Sequence, residues 1–572
     1  MGITREELSV MALTLRALAA SSAAIALACG TLAAGPAQAV EITPEYVESV
    51  GDGVTIQQIL AAGDQPGDGN VFEGIPDGMG AIKNKNGTFT IFISHEQAAS
   101  DTFVAAIERH YGGFGTTISA VRFDPETNTV LSVKDAFKTV KWYDYAAGKF
   151  GTEPTPPADA AVVDTALTPN HTTGLNRFGA ATMAKAGDLR FRVNNKTYGI
   201  NDPILLTGES GSDESRVFAL NPMLQRLRQV PALGLGSTEN IVLVPASKTR
   251  KKTVAFIGEN GDVIDSQLFM YAGDKHAKGT WLRRAGLVDG KKFVASISNS
   301  GSALADDVKV RTALAKKTIT TAVRQAAAIA TTKVAVSSGT LTITTASAHN
   351  MKIGDEVTLS SFGAVGGINL GSGASNINGV DIVRSVTSTT FTIGVDADDL
   401  AETNYTDGRV ALAADVVVIT TSANHGLLEG DRVRVEGNSD LAGLHIVTGA
   451  PSNTVFTVSA AGSALSSSGG TVGEMLNVDF RAVPTDIAGD AQQVVARLRG
   501  TEFSKVKDLF VNPANPNELF FVTAQSDSDT TTVAGVKETG RDGGALWKVT
   551  FINVNNPEAG AFIELILEGT EY

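Results

Sequence analysis

The sequence has one cysteine, Cys29, in 572 residues. No disulfide can form within the chain, and no zinc site can be built on thiolates. Aromatic residues make up 6%, and the three tryptophans, Trp142, Trp281 and Trp547, stand far apart, so no aromatic platform for sugars is visible. Basic residues are in deficit: 47 Lys+Arg against 61 Asp+Glu give a net charge of −14. That balance argues against general nucleic-acid binding, which needs a basic face. After the N-terminal stretch no run reaches the ~18 apolar residues of a membrane span, so none is expected. Charged residues at 19% and apolar ones at 43% exclude a wholly disordered chain. What is abundant is glycine, 59 residues, within Thr-, Ser- and Val-rich text. Such text implies many turns and many short strands.

At the N-terminus Arg16 precedes a small-residue apolar stretch, 17–34, followed by Ala37-Gln38-Ala39. This is the n-region, h-region and A-x-A pattern of a secretory signal, with cleavage expected after Ala39. An anchoring helix is the other reading of the stretch. If residues 1–39 are removed, Cys29 leaves with them, and the mature chain is periplasmic, extracellular or on the cell surface.

From about residue 50 the text reads as short strands between turns. Residues 88–93 follow Asn86-Gly87, a turn dipeptide. Residues 253–257 and 267–271 read as neighbouring strands, and 518–522 are expected to pair with 545–549. A strand, a polar loop and a strand with an aromatic form the recurring unit, which suits antiparallel propeller blades. Helical pattern is confined to 308–328 and 488–498.

The middle of the chain repeats itself. Ile343-Thr344-Thr345-Ala346-Ser347-Ala348-His349 returns as Ile419-Thr420-Thr421-Ser422-Ala423-Asn424-His425, at an offset of 76 (349 to 425). Gly354-Asp355 and Val357 return as Gly430-Asp431 and Val433 at the same offset, and residues 390–393 return as 455–458. Each copy is expected to be a small β-barrel or sandwich, at 331–410 and 411–475, resembling modules of phage-tail and large secreted proteins. His349 and His425 invite a metal reading, but each stands without a second ligand at a fixed offset, and a turn residue capping a strand is the plainer one. The copies hold 6 Lys+Arg against 14 Asp+Glu, so much of the acidity is theirs.

The flanking text reads as one interrupted domain. It contains IPDGMGAIKNKNGTFTIFISHE at 75–96, LLTGESGSDESRVFA at 205–219, LGSTEN at 235–240 and VAFIGENGDVIDSQLFMYA at 254–272. It closes with TEFSKVKDLFVNPANPNELFFVT at 501–523 and GGALWKVTF. As an ordered set these segments resemble the PhoX-type alkaline phosphatase family over about 50–300 and 476–572. The resemblance implies an all-β fold, a six-bladed-type propeller incomplete at its C-terminus. Its first part would be 40–330 and its second 476–572, with the two β-modules inserted between.

The resemblance also implies a secreted, calcium- and iron-dependent hydrolase of phosphate monoesters. Its metal ligands would fall on Glu96, Glu209, Glu239, Glu259 (or Asp262) and Asp508. Several carboxylates at one mouth repel unless cations neutralise them, and hard oxygen donors favour Ca²⁺. Arg109 and Lys505 are weaker candidates for a phosphate contact. Asp77, in a Pro-Asp-Gly turn, reads as a local backbone cap. Two departures stand against iron. Gly179 replaces the family's thiolate, and Lys507 places a cation where a carboxylate is expected. Two functions follow: a PhoX-like phosphomonoesterase with a degenerate site, or a calcium-stabilised extracellular or cell-surface propeller without catalysis. The partners expected are a phosphate ester in the first case, and a cell-surface or homo-oligomeric contact in the second.

Overall fold

A computed structural model describes residues 47–569 apart from 52, 68, 99–108, 112–114, 153–173, 246–250, 262–264, 300–301, 325–328, 338–339, 350, 352, 354, 361–378, 395–408, 413–415, 461–465, 525–531, 534–535, 538–543 and 555. The signal segment 1–39, Cys29 and Asp262 lie outside the described residues.

The chain is all-β and propeller-like. Among the described residues four antiparallel blades recur. The first runs Pro76–Lys83, Phe89–His95, Ile118–Asp124 and Thr129–Asp135, paired in sequence order. The second is Phe178–Ala184, Ile204–Glu209, Val217–Asn221 and Arg226–Gln229, and its outer strand also pairs in parallel with Thr139–Asp144. The third is Thr238–Leu243, Lys252–Glu259, Leu268–Asp274 and Lys291–Asn299. The fourth is Val506–Val511, Glu518–Thr523, Ala545–Phe551 and Ala561–Glu568. The inner strand of each blade packs beside that of the next: first on second, second on third, third on fourth.

Sequence periodicity explains these strands. In Ala545–Phe551 residues alternate buried and half-buried, so one face enters the core. Leu519 pairs with Val549 and Phe521 with Trp547, as expected. Trp547 is fully buried and stacks on Phe521 at 6.0 Å, with Phe503 edge-on at 5.7 Å. Such aromatic pairs add to the burial term that dominates this core.

The inserted text departs from the expected helix and order. The helix Asp307–Leu314 stops well before residue 328, because Lys317–Arg324 is a strand. Its Thr-Ile-Thr-Thr run is β-branched and favours extended backbone. This strand pairs with Val416–Thr421 and with Thr471, and Ile319 and Ala322 join the core of Val417, Phe456 and Val472. A separate core, built on Val334, Ile343 and Phe391, belongs to the sheet running from Ile329–Ser337 to Arg409–Leu412. The first copy is therefore nested inside the second rather than placed before it. Both use the same turn. His349 Nδ1 accepts the Met351 N–H at 3.0 Å and His425 Nδ1 the Leu427 N–H at 2.9 Å, with each ring against a phenylalanine.

One long strand, Thr471–Val483, joins insert to propeller. Its first residues pair with Arg432–Glu436, and its later ones pair with the outer strands of the third and fourth blades. Arg434 Nη2 bonds Glu564 Oε2 at 3.0 Å, and Arg432 lies 4.5 Å over Phe562, fastening the second copy to the fourth blade.

Candidate functional site

Each inner strand starts in the same unusual way. Ile75 (φ 48°), Arg177 (φ 44°), Gly236 (φ 140°) and Lys505 (φ 33°) all take left-handed backbone just before it. Three of these are not glycine, so the conformation is costly and must be held by its surroundings. A break in register follows in each blade: between Pro76 and Met79, between Phe178 and Ala180, between Thr238 and Asn240, and between Val506 and Leu509. A bulge re-aims the residues it leaves unpaired. Those residues are Asp77-Gly78, Gly179, Glu239 and Lys507-Asp508. The recurrence places chemistry-bearing side chains from separate blades at one mouth.

Glu96, just after the second strand of the first blade, completes the group. Its Oε1 accepts Arg177 Nη2 at 2.6 Å and Ser210 Oγ at 2.8 Å. Burial alone would raise its pKa, but these two donors outweigh burial and hold the carboxyl below its usual range. Lys507 forms an ion pair with Glu239, and Asn240 Nδ2 donates to Asp508 Oδ1 at 3.0 Å. Asp77 is pushed up to about 6, first by partial desolvation and then by the charges of Glu96, Glu239 and Asp508, with Lys507 opposing. Its surface remains open to solvent, so the crowding of carboxylates, rather than deep burial, is the informative part. A Cβ at Gly179 would stand 3.5 Å from the Glu96 carboxyl, so that position adjoins the group but brings no ligating atom.

Glu209 and Glu259 are placed differently from Glu96, Glu239 and Asp508. They end the second strands of the second and third blades, opposite Phe178 and Thr238, and are buried. Glu209 accepts Arg216 Nε and Nη2, both at 2.7 Å, and the N–H groups of Arg216 and Asn176, both at 3.0 Å. Its oxygens are occupied in closing the loop that leads to the next strand. Glu259 accepts the Gln267 N–H at 3.0 Å, and burial raises its pKa while lowering that of Lys292 nearby. Arg109 is buried, holding Glu73 Oε2 at 2.8 Å and the Gly115 carbonyl at 2.8 Å, so a phosphate cannot reach its guanidinium without breaking that pair. Lys505 makes no ion pair among the described residues and is half-buried.

Sequence reasoning read Asp77 as a turn residue and missed Arg177, Ser210 and Asn240 as partners. The bulges that gather them have no sequence signature of their own. No group of three His, Cys, Asp or Glu side chains close enough to enclose a metal ion occurs among the described residues. No helix among them is long and apolar enough to cross a membrane.

No protein-family model matches the chain, and no curated protein matches it. Among solved structures, Pseudomonas fluorescens PhoX in complex with vanadate, a transition state analogue, aligns over 88% of this chain and 85% of its own at 10% identity and a TM-score of 0.25. Phage phi92 endosialidase aligns over 68% of this chain and 60% of its own at 9% identity and a TM-score of 0.11. Neither score is high enough to carry a functional conclusion, which rests instead on the residues at the mouth.

Proposed function

We propose that the mouth is a calcium site of a secreted, PhoX-like phosphate-ester-binding propeller with little phosphomonoesterase activity. One observation carries this reading: four carboxylates, Asp77, Glu96, Glu239 and Asp508, are answered by two cations, Arg177 and Lys507. Partial desolvation raises Asp77 first, and the neighbouring carboxylates raise it further. A divalent cation among hard oxygen donors would relieve the excess negative charge. Iron does not fit this donor set, because Gly179 offers no thiolate.

Asp77, Glu96, Glu239 and Asp508 are not close enough here to enclose an ion, so they would have to draw together, with Glu239 leaving Lys507, to hold the calcium, which supplies charge neutralisation and a Lewis-acid contact for a phosphoryl oxygen when bound. Arg177 and Ser210 fix Glu96 through Oε1 and leave Oε2 for the mouth. Lys507 supports a second reading, a calcium-stabilised scaffold without turnover, because its ammonium pairs with a carboxylate that hydrolysis would need.

Calorimetric titration with Ca²⁺, alongside hydrolysis of a chromogenic phosphate ester, tests the proposal. The expected result is calcium binding that weakens at least about tenfold in Glu96→Gln, from the loss of a charged donor (~1.4 kcal/mol), with slow or undetectable turnover. Absence of calcium binding would overturn the site. Fast turnover abolished by Glu96→Gln would overturn the weak activity while keeping the site.

A further inference from the structure

Cations gather at the opposite end of the second and third blades. The inner strands leave the carboxylate mouth and end at Ala184, Leu243 and Val511. At that rear end the hairpin Arg190–Val193/Lys196–Gly199 projects from the second blade, turning through Asn194 (φ 46°) and Asn195 (φ 58°). Two left-handed residues in succession make the tight turn that suits a two-residue hairpin. The hairpin docks on the rear of the third blade. Gly199 N–H donates to the His276 carbonyl at 3.0 Å, and Arg284 Nη2 donates to the Gly199 carbonyl at 3.2 Å.

This docking gathers cations. Arg190, Arg192, Lys196, Lys251 and Lys278 are all exposed, and none forms an ion pair among the described residues. Of the acids at this end, Asp289 is held by Arg283 at 2.9 Å, whereas Asp188, Asp202 and the exposed Asp274 keep their charges and leave the cations in excess. On a chain of net charge −14 such an unpaired cluster is not a by-product of composition. Apolar side chains share the face. Val193, at the hairpin tip, is 41% exposed, and Phe510 is 56% exposed beside a cavity of about 500 Å³ between the inner-strand ends.

We propose that this rear face docks on an anionic lipid bilayer, with Arg190, Arg192, Lys196, Lys251 and Lys278 over the headgroups and Val193 at the acyl boundary. Two features favour a bilayer over a soluble polyanion. Arg190, Arg192, Lys196 and the exposed valine sit on a projecting hairpin, with Lys251 and Lys278 on the third blade beside it, rather than in a groove, which suits a plane. Tyr198, which could stack on a base or a sugar, already has the ammonium groups of Lys196 and Lys251 at 5.3 and 5.7 Å from its ring centre. Surface cations near an anionic leaflet attract over about a Debye length, which salt shortens. The carboxylate mouth would then face away from the membrane, open to solvent.

Sedimentation of the full chain with phosphatidylcholine vesicles, with and without phosphatidylserine, tests this. Binding is expected only with phosphatidylserine, lost at high salt. The double variant Arg192→Ala/Lys196→Ala should weaken it about 25-fold, at about fivefold per cation. Arg190→Ala/Lys251→Ala should weaken it similarly, and circular dichroism checks that both variants fold. Equal binding to pure phosphatidylcholine, no binding to either vesicle, or indifference to both double variants would overturn the proposal. So would retention on heparin without vesicle binding, which would assign the face to a soluble polyanion.

Discussion

Glu209→Gln separates a structural carboxylate from a metal ligand. Glu209 is 1% exposed and Arg216 5% exposed, and the guanidinium is boxed in by Trp142, whose ring centre lies 4.5 Å away. The substitution removes the negative charge that answers a buried arginine through two bonds of 2.7 Å. It also weakens the acceptor for the Asn176 and Arg216 N–H groups. Stranding one member of a buried pair costs about 3–5 kcal/mol. At roughly 2–4 °C per kcal/mol for a domain of this class, the melting midpoint should fall by roughly 6–20 °C. The assay is thermal and denaturant unfolding, each run with Ca²⁺ and with a chelator. The loss should be the same in both, because the Glu209 oxygens are engaged by protein donors. Replacing both partners, as Glu209→Leu/Arg216→Met, should recover most of the loss, since a buried apolar pair strands no charge. A loss below about 1 kcal/mol, or one seen only in the calcium-loaded protein, would refute the reasoning; so would a double variant as unstable as the single one.

Two further outcomes are expected. Glu474 is buried and its pKa is pushed up to about 8, by desolvation and then by the charge of Asp431. Below about pH 4.5 both folded and unfolded states hold the proton. As pH rises towards 8 the unfolded state ionises first, so stability falls. Glu474→Gln should therefore gain stability over wild type above pH 8 and match it near pH 4, read from denaturant midpoints; a pH-independent gap would contradict this. His349→Ala and His425→Ala each remove the acceptor for a buried N–H and should cost about 1–3 kcal/mol. Asparagine at either position should restore part of that in the same unfolding assay, because its side-chain oxygen can accept the N–H two residues on.

Much of the strand layout was legible in the sequence. The alternation in residues 545–551 and the Asn86-Gly87 turn are local signals, set by the two-residue period and by which residues tolerate a left-handed turn. The 76-residue repeat likewise announced two like modules, and the paired histidines serve the same turn in each. Local text also misled. Residues 308–328 read as one helix, but the β-branched 317–324 form the first strand of the insert's sheet, and its pairing partner lies about a hundred residues away.

The site divides in the same way. Residue types and the order of segments marked Glu96, Glu209, Glu239, Glu259 and Asp508 as carboxylates at strand ends. The sequence by itself determined that these acids lie at strand ends, because strand propensity and turn chemistry act over a few residues. Only the tertiary structure decided which of them meet. Bulges at the inner strands turn Asp77, Glu239 and Asp508 towards Glu96, whereas Glu209 and Glu259, one register position inside the sheet, are buried against protein donors. The gathering of cations at the rear of the second and third blades was likewise beyond the sequence. A net charge of −14 carries no direction, and the basic rear face exists because a hairpin from one blade docks against the cations of the next.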